Sequence, residues 1–246
     1  KVEWLDTLPG GSDYQVRKFR VEAVPGLWVA GLLYRPTALP PKTPAVLNMN
    51  GHEKEGKSTP YIQERCIHLA RSGLMAMNLE WLGRGQMAEV PGLNHYRMPQ
   101  IDLTGTSGLA VFFLAMRKGL DVLETIPEVD RTRIAVTGLS GGGWQTIFLS
   151  ALDERVAAAN PLAGYSSYVT RSQWPELDLG DAEQTPADFA SVADYLHLTA
   201  MLAPRWAQLA NNAKDTCCFR ADYALGPLVQ AARAPYHLLG APQRLR

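Results

Sequence analysis

IAVTGLSGGGWQTIFLSAL, residues 134–152, is the stretch that decides the fold. A short β-branched run (Ile134, Val136, Thr137) meets a glycine-rich turn, and an apolar helical pattern follows at once. Inside the turn, Gly138, Ser140 and Gly142 spell G-x-S-x-G. In a strand–turn–helix setting this pattern makes a nucleophile elbow, with the serine hydroxyl held above a sheet on a sharp, strained turn. Glycines two residues either side are required because the turn brings those backbones too close for a Cβ. The helix start aims free N–H groups and its positive dipole end at charge developing on an attacked carbonyl. A bare G-x-S-x-G is a weak signal, and the strand and helix that flank this one make it a strong one.

Outward from the elbow, strand and helix patterns alternate. Residues 15–24 alternate as a strand, and 27–34 form its partner across Pro25-Gly26. A proline-rich connector at 36–44 leads to a short apolar strand at 45–48, a helix at 61–71 and a buried strand at 74–79. The longest helix spans 108–125, with Leu109, Phe112, Phe113, Met116, Leu120 and Leu123 at helical spacing. Beyond the elbow come a strand at 156–159, an irregular excursion over 164–188, a helix at 191–202, a strand at 206–210, a helix at 221–232 and a last strand at 236–239. The alternation implies an α/β fold whose mostly parallel sheet is covered on both faces, with an antiparallel N-terminal edge. A chain of 246 residues suits one such domain, and no internal repeat or boundary divides it.

Composition excludes several function classes. Lys plus Arg and Asp plus Glu each count 24, and no basic block stands out, which argues against nucleic acid or anionic membrane as partner. The longest clean apolar run, 109–116, is too short to span a bilayer. Cys66, Cys217 and Cys218 have neither metal spacing nor a disulfide framework. The expectation is no metal and no cofactor. Compartment and oligomeric state stay open.

A serine nucleophile needs a base to take its proton and an acid to orient that base. In hydrolases built on such elbows the chain order is Ser, then Asp or Glu, then His. Asp215 is the expected acid, because it follows the strand at 206–210 where strand ends give way to loops. Asp153 lies too close to the elbow helix, and Asp178, Asp181 and Asp188 fall in the excursion. The oxyanion hole should pair the N–H of Gly141 with that of His52, in the Asn50-Gly51-His52 loop. Of five histidines, His68 and His197 lie in helix patterns and His52 precedes the serine. His237 sits inside the expected final strand, and His95 sits in a loop that could line the pocket. Both are weak candidates, so the base is expected beyond Arg246. Trp81, Trp144, Tyr165 and Trp174 fall near strand ends, and each is as good a core residue as a pocket wall.

Seven stretches carry a family resemblance: LNMNGHEKEGK (47–57), NLEWLGRGQM (78–87), DLTGTSGLAVFFLAMRKGLDVL (102–123), VDRTRIAVTGLSGGGWQT (129–146), ANPLAGYSSY (159–168), DYLHLTAMLAPR (194–205) and NAKDTCCFRAD (212–222). The chain resembles the acetylxylan-esterase-like branch of the α/β-hydrolases, near the dienelactone-hydrolase and prolyl-oligopeptidase groups. The resemblance implies Ser140 as nucleophile, Asp215 as acid and a His-bearing segment after the last strand. Pro204-Arg205-Trp206 departs from the pattern, which commonly has a second proline there.

The expected function is therefore a serine carboxylic-ester hydrolase working through an acyl-enzyme on a small-molecule ester, short-chain or acetyl. The excursion at 164–188 is the natural cap over the site. A peptidase lacks support, since no gating domain is evident. The rival from another class is a hydrolase-fold binding protein or impaired relative without its base histidine.

Overall fold

The strand of the elbow lies at the centre of an eight-stranded sheet in the computed structural model, which describes residues 1–90, 93–175 and 181–246. In chain order the strands are β1 (Val2–Leu8), β2 (Tyr14–Val24), β3 (Leu27–Pro36), β4 (Thr43–Met49), β5 (Met75–Leu79), β6 (Val129–Leu139), β7 (Val156–Leu162) and β8 (Trp206–Ala207). The helices are α1 (Pro60–Arg71), α2 (Gly108–Glu124), α3 (Gly141–Leu152), α4 (Tyr168–Gln173), α5 (Phe189–Val192), α6 (Tyr195–Ala200) and α7 (Ala221–Leu238). Spatial order is β1-β2-β3-β5-β4-β6-β7-β8. The first three strands and the β3–β5 pair are antiparallel; from β5 to β8 every pair is parallel.

Side-chain alternation sorts the core onto the two faces. Leu32, Tyr34 and Ala76 pack with Cys66 and Ala70 of α1, whereas their neighbours Leu33, Met75 and Met77 join the larger cluster with α2 and α3. On α2 the stripe Phe112, Ala115, Met116, Gly119, Leu120, Leu123 is buried at three- and four-residue spacing. Nearly all of α3 is buried, as befits a helix wedged behind the central strands. No helix among the described residues is long and apolar enough to cross a membrane.

Three features correct the sequence reading. Edge strand β1 goes unread because only Val2 and Trp4 pack against the core, half-buried, while Leu5 and Leu8 are 48% and 39% exposed, which leaves no clean alternation. The excursion at 164–188 is not wholly irregular: α4 forms within it, its start capped by the Ser167 hydroxyl accepting from Thr170 N–H. The expected strand at 236–239, placed after Pro235, is instead helical, since α7 runs on to Leu238 through both Pro227 and Pro235. Ala224, Leu228, Ala232 and Tyr236 stand four residues apart and are all buried, so core packing outweighs the missing proline N–H groups. The true neighbour of β8 is Leu245–Arg246, where Arg246 N–H donates to Ala207 O (2.9 Å) and Leu209 N–H to Arg246 O (2.9 Å).

Candidate active site

Parallel strands deliver their following loops to one edge, and the carboxyl edge of this sheet collects the polar residues. Ser140 follows β6, Asn50-Gly51-His52 follows β4, Glu80-Trp81 follows β5, and Gly164-Tyr165 follows β7. Ser140 adopts φ +57° and ψ −123°, a conformation that L-residues avoid and that costs about 1–3 kcal/mol. Surrounding contacts enforce it: Ser140 N–H donates to Leu162 O, and its own carbonyl accepts from Gly143 and Trp144. The glycines of the motif are needed sterically. A Cβ on Gly138 would lie 2.6 Å from Gly142 O, and one on Gly142 would lie 2.5 Å from Met49 O. Among the described residues the half-buried Ser140 hydroxyl has no hydrogen-bond partner.

Two free donors lie beside it. Gly51 packs so tightly that a Cβ there would sit 2.8 Å from Leu139 O and 3.8 Å from Gly141 N. The oxyanion loop thus touches the elbow, and neither the His52 nor the Gly141 N–H is engaged among the described residues. The His52 and Trp81 rings close over Gly141, their centroids 4.6 Å apart.

Asp215 lies past β8 in a loop bound mostly to itself. Its carboxylate accepts from Asn212 Nδ2 (2.8 Å), Cys217 N (2.9 Å) and Cys218 N (3.4 Å). Burial alone would raise its pKa, but the Cys217 N–H, the Asn212 amide and the Cys218 N–H outweigh that and hold it below the ordinary value. None of its hydrogen-bond partners is a histidine. His237 is exposed on the last turn of α7, and no histidine hydrogen-bonds Ser140 among the described residues. Asp178, weighed above as an acid, lies outside the described residues.

The proposed pocket aromatics divide. Trp144 is fully buried and donates Nε1–H to Tyr195 OH (2.9 Å); Tyr165 is 2% exposed, its hydroxyl 3.2 Å from that of Thr199. Both are core residues rather than walls. Trp81 is buried against the elbow, and Trp174 is 43% exposed and stacked on Tyr223.

Sequence reasoning missed two buried clusters at this edge. Glu80 accepts from the Lys57 backbone N–H (2.9 Å), Lys57 Nζ (2.8 Å) and Gln86 N–H (3.2 Å), which ties the loop after β5 to the one after β4. Glu183, in the excursion, lies 2.8 Å from His52 Nε2 and 3.2 Å from His95 Nε2. Burial pushes its carboxyl up, yet the adjacent His52 and His95 rings prevail and lower the pKa to about 2. The partners are 43 and 131 residues apart in sequence, so no local spacing announces them.

Residues 12–184 match the model of the family described as acetyl xylan esterase (AXE1). No curated protein matches the chain. Among solved structures it is similar to Methylesterase BT1017, with TM-score 0.81 and 23% identity. That alignment covers 100% of this chain and 51% of the other, so the chain spans about half that neighbour's length. An acetyl xylan esterase from Paenibacillus sp. R4 aligns with TM-score 0.67 and 19% identity over 100% of this chain and 80% of that one. A glucuronoyl esterase from Solibacter usitatus aligns with TM-score 0.65 and 14% identity over 98% and 74%. At such identities the likeness shows a shared fold, that of the α/β-hydrolases.

Proposed function

Because the chain belongs to the acetyl xylan esterase family, we propose that it is a serine carboxylic-ester hydrolase acting on short-chain or acetyl esters through an acyl-enzyme on Ser140. The observation that carries this reading is the strained Ser140 turn, φ +57°, with a hydroxyl and two neighbouring amides that find no partner among the described residues. In the proposed cycle the Ser140 oxygen attacks the ester carbonyl, and the Gly141 and His52 N–H groups stabilise the resulting oxyanion. A histidine takes the serine proton and returns it to the departing alcohol, and water then releases the acyl group. Asp215 orients that histidine, which we place in the segment following Arg246. Support comes from the sheet: Leu245–Arg246 enters it as the parallel neighbour of β8, and a loop after such a strand reaches the edge that carries Ser140. We assign the excursion at 164–188 the role of cap, with Trp174, 43% exposed, as its aromatic residue open to a substrate, while Trp81 backs the elbow from within the core.

The test compares the full gene product with its Ser140→Ala variant. The parent is expected to take a fluorophosphonate label and hydrolyse p-nitrophenyl acetate. The variant should lose the label and at least about 10⁴-fold in kcat while keeping its fold. Labelling that survives the substitution rejects the nucleophile.

A further inference from the structure

Three side-chain atoms from three different loops meet under the oxyanion loop. His52 Nε2 lies 3.0 Å from His95 Nε2 and 2.8 Å from Glu183 Oε1, and His95 Nε2 lies 3.2 Å from the same oxygen. Protons alone do not fit this triangle well. His95 Nδ1 is 2.9 Å from Leu82 O, and a carbonyl only accepts, so Nδ1 carries a proton. A neutral His95 therefore turns a bare lone pair toward a carboxylate oxygen. One proton on His52 Nε2 can lie along only two of the three edges, and the third sets acceptor against acceptor. The second carboxylate oxygen, Glu183 Oε2, is buried in a side chain that is 0% exposed and has no hydrogen-bond partner among the described residues. Leaving such a group unsatisfied is costly, and more so when it is charged.

We propose that His52, His95 and Glu183 form a binding site for a divalent first-row transition ion held by one face of an octahedron, with zinc, cobalt and manganese as probes. A cation about 2.1 Å from each of three ligands at right angles requires ligand separations of about 3.0 Å, and two imidazoles with one carboxylate are a recognised donor set for such ions. The observed edges of 2.8, 3.0 and 3.2 Å bracket that value. The outer contact of His95 matches as well, because metal-bound histidines pass their other N–H to a carbonyl or carboxylate, and for His52 a carboxylate lies nearby. His95 does so to Leu82 O, and His52 Nδ1 lies 3.5 Å from Asp181 Oδ2. Trp81 and Phe112 wall the site, their rings 4.3 and 5.3 Å from that of His95, which keeps water from competing for the ligands.

The role we infer is positional. His52 belongs to the loop after β4, His95 to the segment after β5, and Glu183 to the excursion after β7, so one ion pins three loops around the Ser140 turn. The ion would fix the His52 backbone beside Gly141 and would not itself meet the ester.

Metal binding is measured directly, so the test does not depend on the esterase reading. The full chain is stripped with chelator, dialysed and titrated with zinc, with bound metal measured by plasma mass spectrometry and stability by thermal melting. Exposed Cys217 and its half-buried neighbour Cys218 offer zinc an adventitious thiol pair, so the titration uses Cys217→Ser/Cys218→Ser as background. One equivalent should bind and raise Tm. Glu183→Gln and His95→Gln should each weaken binding by more than about 100-fold, since changes outside the ligand set already cost 10–100-fold. Cobalt should give a visible d–d band in the background protein that both variants lack. Uptake below a tenth of an equivalent of zinc, cobalt and manganese alike overturns the proposal. Equal affinity in the two variants overturns it too. Should Glu183→Gln fail to fold, His95→Gln and the cobalt spectrum decide.

Discussion

Two groups of polar atoms at opposite ends of the sheet, those around Arg155 and those around the Ser140 turn, differ in how far their hydrogen-bonding capacity is filled. At the amino end of β7, Arg155 is heavily paired: its guanidinium donates to Asp153 (2.7 Å), Asp121 (2.9 Å) and Glu124 (2.8 Å), joining that loop to the ends of α2 and α3. At the carboxyl end, the Ser140 hydroxyl, the His52 and Gly141 amides and Glu183 Oε2 all stand without partners among the described residues. Pairing is what a stabilising network needs, and open valence is what a site needs for a ligand or a transition state. Substitutions at the carboxyl end should therefore move turnover, and those at the amino end stability.

The largest test of that contrast is Asp215→Asn in the active gene product. If Asp215 orients the base, kcat should fall about 10³–10⁴-fold while KM and Tm stay nearly constant. The loop keeps most of its bonds in the variant, because Asn can still accept from Cys217 and Cys218. A loss under about tenfold would move the acid to another carboxylate at this edge. Glu80 is poorly placed for that, with both oxygens held by Lys57 and Gln86.

Next is the division among the aromatics. Trp144→Ala removes a fully buried ring and should cost about 3–5 kcal/mol, read by urea unfolding. Trp174→Ala, at 43% exposure, should stay within about 1 kcal/mol and change KM instead. Equal destabilisation by the two would mean that Trp174 belongs to the packing after all.

What the sequence makes legible follows from how far each cause reaches along the chain. The elbow is legible because its steric causes, at Gly138 and Gly142, lie within a few residues of Ser140. Strands such as β4 and β5 are legible because burial on both faces leaves a continuous apolar run. The end of α7 is misread because Pro235 is a local stop signal, while the burial of Tyr236 that overrides it depends on the sheet. Tyr236 also donates its hydroxyl to Arg205 O (2.6 Å), a contact 31 residues away. The His52–His95–Glu183 triangle is illegible for the same reason, since three loops must already be in place before its atoms meet.

A third prediction separates strain from function at one residue. Ser140→Gly should abolish turnover yet stabilise the fold by about 1 kcal/mol, because glycine accepts φ +57° without penalty. Greater unfolded-state freedom offsets part of the relief. If the variant is no more stable than Ser140→Ala, which keeps the Cβ, the turn holds little strain.

The smallest effect belongs to the amino end. Burial alone would raise the Asp153 carboxyl, but hydrogen bonds from the Arg155 side chain and backbone outweigh it and hold its pKa below 3.8. A group depressed in the folded state contributes its full stability above the unfolded value, and that contribution fades as pH falls through the folded value. Asp153→Asn keeps the shape and one acceptor oxygen at this buried position and should therefore cost about 1 kcal/mol near neutrality, since Asp121 and Glu124 still engage Arg155. The gap between parent and variant should close as pH drops below 3.8, the ordinary carboxyl value here. Esterase turnover at neutral pH should not change, because Asp153 lies at the opposite end of β7 from Gly164 and the Ser140 turn. A stability gap that stays constant from about pH 7 to about pH 2 would assign the effect to packing rather than charge, and a drop in kcat would break the separation of the two ends.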